Sequence, residues 1–438
     1  MVAVPVPPKM ATSLALLMLA GSASSFSFNP SGTLASRRLV DVDENTPRDV
    51  YTMEGWSLNC GVQKADGLEL VANYQDGLED FCAMTQQDLP AGSPVLFVPN
   101  EMILSSSKAT QEFGGALQAA ESLLTQANLE ATIPLFRIFC KILVEYEKGD
   151  ESPWFPWMNS LPRRYNNGAS MTFACFELLP PYAGWLAMKE RVNFVNFQKA
   201  VQNVPIISEE IRADRNVLKW AYNVAVTRSL TWTDNERLLA PMADMFNHGA
   251  QTEVDISFDE QGNCMAFSSR DVPAGTPLRI SLGDPTNPSP LFATYGFLDD
   301  SSPATFCKLM DKQEEMRELG YDFSNLLFFK DTGDISMEVY DVILYSILGQ
   351  DPTAQRSFYE ACRIGDTETK NAFHQEYFPY TLNELRKHVD DTITDLDRLL
   401  AKAQSKDPRT HPRLPVILKH NNFVKGTFLK VKENLDQM

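Results

Sequence analysis

Long apolar runs are missing from this 438-residue chain. Past the N-terminus none approaches the ~18 consecutive apolar residues that a bilayer-spanning helix needs. A membrane-embedded mature protein is therefore not expected. Basic residues are also in short supply, with 39 Lys and Arg against 57 Asp and Glu. The resulting formal charge of -18 argues against nucleic acid as a partner, because phosphate neutralisation needs a basic surface. Cysteine is sparse and without pattern. The seven, at 60, 82, 140, 175, 264, 307 and 362, form no Cys-x-x-Cys pair and have no histidine nearby. That argues against a zinc site and a disulfide framework, so reduced, mostly buried thiols and no metal are expected.

What is present describes a globular protein, with 44% hydrophobic and 22% charged residues. The length is more than one ordinary core accommodates, so two or three domains are expected. An acidic surface serves solubility and also suits a basic partner such as a lysine-bearing protein. The first 36 residues read as an address. Lys9 precedes the apolar Ala11-Thr-Ser-Leu-Ala-Leu-Leu-Met-Leu-Ala20, then small residues and a phenylalanine at Gly21-Ser-Ala-Ser-Ser-Phe26. This order matches a secretory-type signal with its cleavage region, or a disordered tail. The Ala-Ser-Ser-Phe junction also resembles the bipartite plastid presequence of diatoms and related algae. A plastid location is expected on that ground, with the secretory pathway or the cytoplasm as alternatives.

Residues 54–104 are strand-like and rich in turns, ending in Leu89-Pro-Ala-Gly92 and the strand Pro94-Val-Leu-Phe-Val98. Much later, Asp271-Val-Pro-Ala-Gly275 repeats Asp88-Leu-Pro-Ala-Gly92. Each is a turn launching an extended segment. One β module, 54–104 and 233–300, is thus written in two halves around a mostly helical insert, 105–232. Within the insert, apolar residues recur at helical spacing over 133–147 behind Pro134. Further helices are expected over 182–201 and from Ser208 to near Trp232, with Trp220 and Tyr222 in the core. Ser152-Pro-Trp-Phe-Pro-Trp-Met-Asn-Ser-Leu-Pro162 reads as an aromatic loop pinned by prolines. A hairpin follows at 253–268, then the strand Pro277-Leu-Arg-Ile-Ser281 and a proline-rich loop up to Tyr295. Residues 305–438 read as a separate all-α domain, with Leu385, Val389, Ile393 and Leu396 on one helical face.

The segment Leu239-Ala-Pro-Met-Ala-Asp-Met-Phe-Asn-His-Gly249 sets an apolar run directly against an Asn-His pair. Buried polar groups must find partners. Two readings stay open for Asn247 and His248 on the residues alone, a satisfied core pair or a ligand site. Asp244, four residues before His248, lacks a third metal ligand nearby.

The order of these parts resembles the SET-domain lysine methyltransferases, and more narrowly the branch containing the Rubisco large-subunit methyltransferase. Pro241-Met-Ala-Asp-Met-Phe-Asn-His248 is the strongest match, supported by Ser152-Pro-Trp to Leu161-Pro162 and by Tyr295-Gly-Phe297. The resemblance implies an α+β fold: small twisted sheets with a knot-like C-terminal part, split by a helical insert and followed by a helical domain that docks a protein substrate. It implies S-adenosylmethionine as methyl donor, held by Gly67, Leu68, Arg228, Asn247 and His248, and a non-histone protein with a target lysine as partner, the chain acting as a monomer.

Two departures from the family pattern stand out. Glu69 occupies the second glycine of the usual Gly-x-Gly phrase, read here as Asp66-Gly67-Leu68-Glu69-Leu70. Counting back from Tyr295-Gly-Phe297, the family's catalytic tyrosine falls on Leu282, and the usual Ser-Asn that follows is not spelled out. Tyr295 is the candidate replacement hydroxyl, with core packing as its other role. The expected function is a protein-lysine N-methyltransferase, with a catalytically weak or inactive SET-fold binding module as the alternative.

Overall fold

The computed structural model describes residues 37–75, 78–233 and 236–438. Arg37 and Arg38 close a first unit, Met1–Arg38, and everything below concerns the second, Leu39–Met438. The expected presequence, 1–36, lies outside the described residues.

Fourteen short strands are described: β1 Gln63–Lys64, β2 Leu68–Gln75, β3 Leu78–Thr85, β4 Pro94–Val98, β5 Leu104–Ser105, β6 Leu230–Thr233, β7 Glu236–Leu239, β8 Asn247–His248, β9 Val254–Phe258, β10 Cys264–Ser268, β11 Thr276–Pro277, β12 Arg279–Ile280, β13 Ala304–Phe306 and β14 Leu327–Phe329. Three sheets join strands from before and after the long helical stretch, in the orders β1-β4-β10-β9, β11-β3-β2 and β5-β7-β6. The pairing is antiparallel in all three, while β8 and β12 form a parallel pair.

The repeated Pro-Ala-Gly phrases bind each other. Leu89 and Val272 exchange both backbone hydrogen bonds at 2.8 Å. Asp88 Oδ1 accepts from Ala274 N, and Asp271 Oδ1 accepts from Ala91 N, each at 2.8 Å. Gly92 and Gly275 take matching left-handed φ values of 78° and 79°. The sequence repeat is thus a local two-fold. Asp88→Ala and Asp271→Ala are therefore expected to cost nearly the same, about 1 kcal/mol each for one carboxylate-to-amide bond on the surface. Urea unfolding of the two variants checks this, and clearly unequal losses would break the symmetry argument.

Between the halves, helix Ile133–Lys148 buries Phe136, Phe139 and Leu143 and packs on helix Arg215–Arg228, while Phe136 and Phe139 meet Phe197 of helix Pro181–Val201. Phe197 bridges them, its ring 5.1 Å from Phe136 and 5.3 Å from Tyr222. Trp220 and Tyr222 are buried as core residues.

Several local expectations are corrected. The helix expected over Ser208–Trp232 breaks at Asp214, whose carboxylate caps Arg215–Arg228 by accepting from Asn216 N and Val217 N. It ends at Arg228, and Trp232 lies in β6. The proline-rich loop before Tyr295 is instead helix Pro288–Tyr295, capped by Asn287. Its prolines fall in the first turn, where no N–H is needed by the helix. The aromatic loop contains helix Phe155–Ser160 for the same reason, with Pro156 in its first turn. Trp56, expected in extended chain, belongs to helix Val50–Asn59.

The C-terminal part is not wholly helical, because β13 and β14 form an antiparallel ribbon beside its helices. There Leu385, Val389 and Leu396 of helix Thr367–Gln404 pack with Val424, Phe428 and Val431 of helix Leu414–Leu435, while Ile393 is only partly buried. All seven cysteines are free, four of them buried. Among the described residues no helix is long and apolar enough to cross a membrane, and no group of three His, Cys, Asp or Glu could hold a metal ion.

Candidate functional site

The Asn-His segment is shaped by its neighbours on both sides. After β7 the chain turns through Met242, a non-glycine residue at φ 70°, into one 3-10 turn at Ala243–Met245. It then extends as β8, with Asn247 opposite Arg279 and His248 opposite Ile280. Gly249 N donates to the Ile280 carbonyl at 3.0 Å, and a Cβ at this position would come within 3.0 Å of the Arg279 side chain.

Asn247 Nδ2 donates to the Phe81 carbonyl at 3.2 Å. The Phe81 ring in turn carries the Arg48 guanidinium, 4.9 Å from its centroid. Arg48 is held from the other side by the Ser160 carbonyl at 2.8 Å and faces Asp80 at 3.6 Å. A second guanidinium stands close by, with Arg228 Nη1 donating to the Asp244 carbonyl at 2.6 Å.

The Asp244 carboxylate is buried, and Trp157 Nε1 donates to its Oδ2 at 3.0 Å. Its Oδ1 has no hydrogen-bond partner among the described residues, and neither does the buried Tyr165 hydroxyl. Burial raises the Asp244 pKa despite the opposing pull of Arg228, the Trp157 bond and Arg48. Burial, reinforced by Arg228, lowers Arg48 to about 10, so it remains charged at neutral pH.

His248 is the hinge to a second group of residues. Its Nδ1 accepts from Leu282 N at 3.1 Å, which puts the proton of the neutral ring on Nε2. That nitrogen lies 3.2 Å from Asp299 Oδ2. The approach is angled off hydrogen-bond geometry, so Asp299 acts on the ring through its charge. Burial lowers the His248 pKa and Asp299 only partly opposes it, favouring the neutral ring. The imidazole also leans on Phe297, with centroids 5.6 Å apart.

Tyr295 closes the group, its hydroxyl donating to the Leu282 carbonyl at 3.3 Å. Leu282 is thus held by His248 at its N–H and by Tyr295 at its C=O. Burial raises the Tyr295 pKa, which keeps it a hydroxyl donor at neutral pH.

Of the residues singled out in the sequence, Arg228, Asn247, His248, Leu282 and Tyr295 are joined by these contacts. Gly67 and Leu68 sit elsewhere along the hairpin. Leu68 pairs with Thr85, whereas Phe81 pairs with Ala72, four residues and roughly 13 Å further along the strand. Glu69 is exposed and bonds the Gln86 side chain at 3.0 Å. Asn287, near the place of the family's Ser-Asn, caps the helix that carries Tyr295.

Arg48, Asp80, Phe81, Trp157 and Tyr165 were not singled out as site residues by the sequence. Only Trp157 carried a signal, since it lies inside the Ser152–Pro162 motif.

No family model matches the chain. Among curated proteins it is similar to SET domain-containing protein 4 of Artemia parthenogenetica, 24% identical over 260 residues covering 55% of this chain and 62% of that protein. It is similar to the actin-histidine N-methyltransferase of Danio rerio, 23% identical over 56% of this chain and 42% of that protein. It is also similar to the ribosomal lysine N-methyltransferase set10 of Schizosaccharomyces pombe, 22% identical over 62% of this chain and 52% of that protein. The chain spans about half the length of the curated relatives it matches.

Among solved structures, the SET domain of LSMT bound to lysine and AdoHcy superposes with a TM-score of 0.57 at 13% identity, over 89% of this chain and 91% of that one. Rubisco LSMT bound to AdoMet gives 0.56 at 15% identity, with the same coverage. Arg48, Arg228 and Asn247-His248 are therefore set in a chain that has the SET-domain methyltransferase fold.

Proposed function

We propose that this chain is an S-adenosylmethionine-dependent protein methyltransferase that acts on a lysine of a non-histone protein. The observation that carries the reading is the buried polar cluster around Asn247. Two guanidiniums lie there, Arg228 on the Asp244 backbone carbonyl and Arg48 on the Phe81 ring, whose own carbonyl accepts from Asn247. The carboxylate of an amino-acid end matches that set, because a guanidinium pairs it through a planar, charge-assisted fork. S-adenosylmethionine has such an end, and the solved neighbours of this fold are described with AdoMet or AdoHcy bound.

When bound, the donor supplies an electrophilic methyl group, and transfer to an amine needs positioning and a water-poor site, with no metal. The chain's own part is to hold the donor end and to present oxygens near the acceptor amine. We assign that task to Tyr295, whose hydroxyl is fixed by its bond to the Leu282 carbonyl. A second reading, a donor-binding module that transfers little or no methyl, is favoured by one observation. An aliphatic side chain, Leu282, stands where the family places its tyrosine.

Calorimetry with S-adenosylhomocysteine and labelled-methyl transfer to proteins of an algal extract, run on one sample of the full chain, separate these readings. Stoichiometric binding is expected, weakened about 100-fold by Arg228→Ala through loss of a buried charge-assisted contact, together with label on lysine. Label on histidine would correct the acceptor. Binding without label would select the second reading, and no binding would overturn both.

A further inference from the structure

Lys308, two residues past the end of β13, works against the fold in two ways. Its backbone is left-handed, with φ 66°, a conformation that residues bearing a side chain seldom adopt. Its side chain is also inside: the residue is 7% exposed, and Nζ has no hydrogen-bond partner among the described residues. The amine lies instead 5.8 Å from the centroid of the Phe428 ring. A strained backbone and an unpaired buried amine at one position, outside the site around Asn247, point to a role of their own.

The groups that face Lys308 from the neighbouring elements are mostly bases. On helix Thr367–Gln404, His388 bonds the Cys307 carbonyl through Nε2, and its ring stands 6.2 Å from Phe428. On helix Leu414–Leu435, which carries Phe428, His420 is fully buried with Nε2 3.0 Å from Ser289 Oγ. The acids within electrostatic reach lie at the surface. Asp395 is half-exposed and paired with Arg398, and Asp311 is exposed beside Lys312. The Cys307 thiol is buried, which raises its pKa and keeps it neutral.

Burial without a hydrogen-bonded counter-charge favours the neutral amine. It pushes Lys308 down to about 7, with Asp395 opposing. Burial also lowers His388 and takes His420 down to about 3, and Lys308 adds to both shifts. Of the three bases, Lys308 is thus the one that titrates near neutrality. An opened chain, in which the amine regains its ordinary value of ~10.4, holds the proton more readily across the interval between the two values. Stability therefore rises with pH through that interval, and is lost as pH falls toward the folded value.

We propose that Lys308 is a pH-sensitive latch on the C-terminal helices. Neutral, it lies on Phe428 and keeps the segment after β13 docked on helices Thr367–Gln404 and Leu414–Leu435. Protonated, it is drawn toward water and the helices loosen around it. The latch does not depend on methyl-donor binding.

The test is hydrogen exchange on the full chain over segments 306–310 and 424–431, corrected for the intrinsic pH dependence of exchange. In the natural chain the opening constant is expected to fall several-fold per pH unit from about pH 7 to about pH 9, with about ten-fold as the limit for one proton. Lys308→Met keeps the apolar stem and removes the titrating group. It should lose this dependence and, at about pH 7, be protected several-fold more than the natural chain, because a buried unpaired charge is replaced by an apolar tip. A second measurement needs no variant. With lysines carbon-labelled at Cε in the natural chain, one NMR signal should titrate well below the others. The same pH dependence with and without the Lys308 amine, weaker protection in a folded Lys308→Met, or every lysine titrating near ~10.4 would overturn the proposal.

Discussion

Gly296→Ala is expected to destabilise the protein by about 3 kcal/mol or more, whereas Gly275→Ala should cost about 1 kcal/mol. Both glycines are left-handed, with φ of 85° and 79°. They differ in what surrounds them. A Cβ at Gly275 meets nothing within 4 Å, so the backbone penalty stands alone. At Gly296 a Cβ would lie 2.6 Å from Asn167 N and 2.7 Å from the Asn166 carbonyl carbon, and backbone cannot step aside as a flexible side chain can.

The crowding follows from how helix Pro288–Tyr295 is terminated. Its last turn leaves carbonyls without intrahelical donors. Gly168 N bonds the Ala293 carbonyl at 2.9 Å and Asn167 Nδ2 the Thr294 carbonyl at 3.0 Å. The 166–168 segment must therefore press against the helix end, and Gly296 is the point of contact. Because Tyr295 is the preceding residue, the Ala variant should disturb the site as well as the fold. Guanidinium unfolding of both variants gives the comparison. Similar losses for the two would show that the close approach is relieved cheaply.

How far the molecule could be read from its sequence depended on the range of the interaction concerned. Periodicity and caps act within a few residues, and helices such as Ile133–Lys148 and Pro181–Val201 emerge where their apolar spacing places them. Proline misled where its position mattered more than its presence. Pro288, Pro290 and Pro156 suggested loops, yet in a first turn a missing N–H costs the helix nothing.

The site shows the same division. Asn247-His248 announced itself as polar groups beside an apolar run. Phe81 did not, because its part is a backbone carbonyl offered to Asn247 across 166 residues, and a carbonyl has no letter in the sequence. Arg48 likewise gains its meaning only when helix Phe155–Ser160 presents the Ser160 carbonyl and β3 presents the Phe81 ring. The Asp88 and Asp271 phrases could be seen to repeat, but not that each copy is the other's partner.

Tyr295→Phe is expected to lower methyl transfer by about 100-fold, at the lower end of what a positioned proton-bearing group contributes, with donor affinity unchanged. The side chain does not touch the Asn247 cluster directly; it acts at Leu282, through a 3.3 Å bond to the carbonyl. That carbonyl is fixed from the opposite direction, since the Leu282 N–H is held by His248 Nδ1. Losing the hydroxyl frees one side of a residue held at both its N–H and its C=O. The Leu282→Tyr variant probes the complementary case. Position 282 is half-buried beside the site and accepts a larger ring at modest cost. A hydroxyl restored there should raise transfer at least ten-fold, and more in the Tyr295→Phe background than in the parent, because two groups serving one role are not additive.

Single-turnover rates with saturating donor separate these effects from binding. Full activity in Tyr295→Phe would reduce that residue to packing. Activity gained only through Leu282→Tyr would mean that the natural chain keeps the donor site while lacking the group that completes it, and its function would then lie in what it binds.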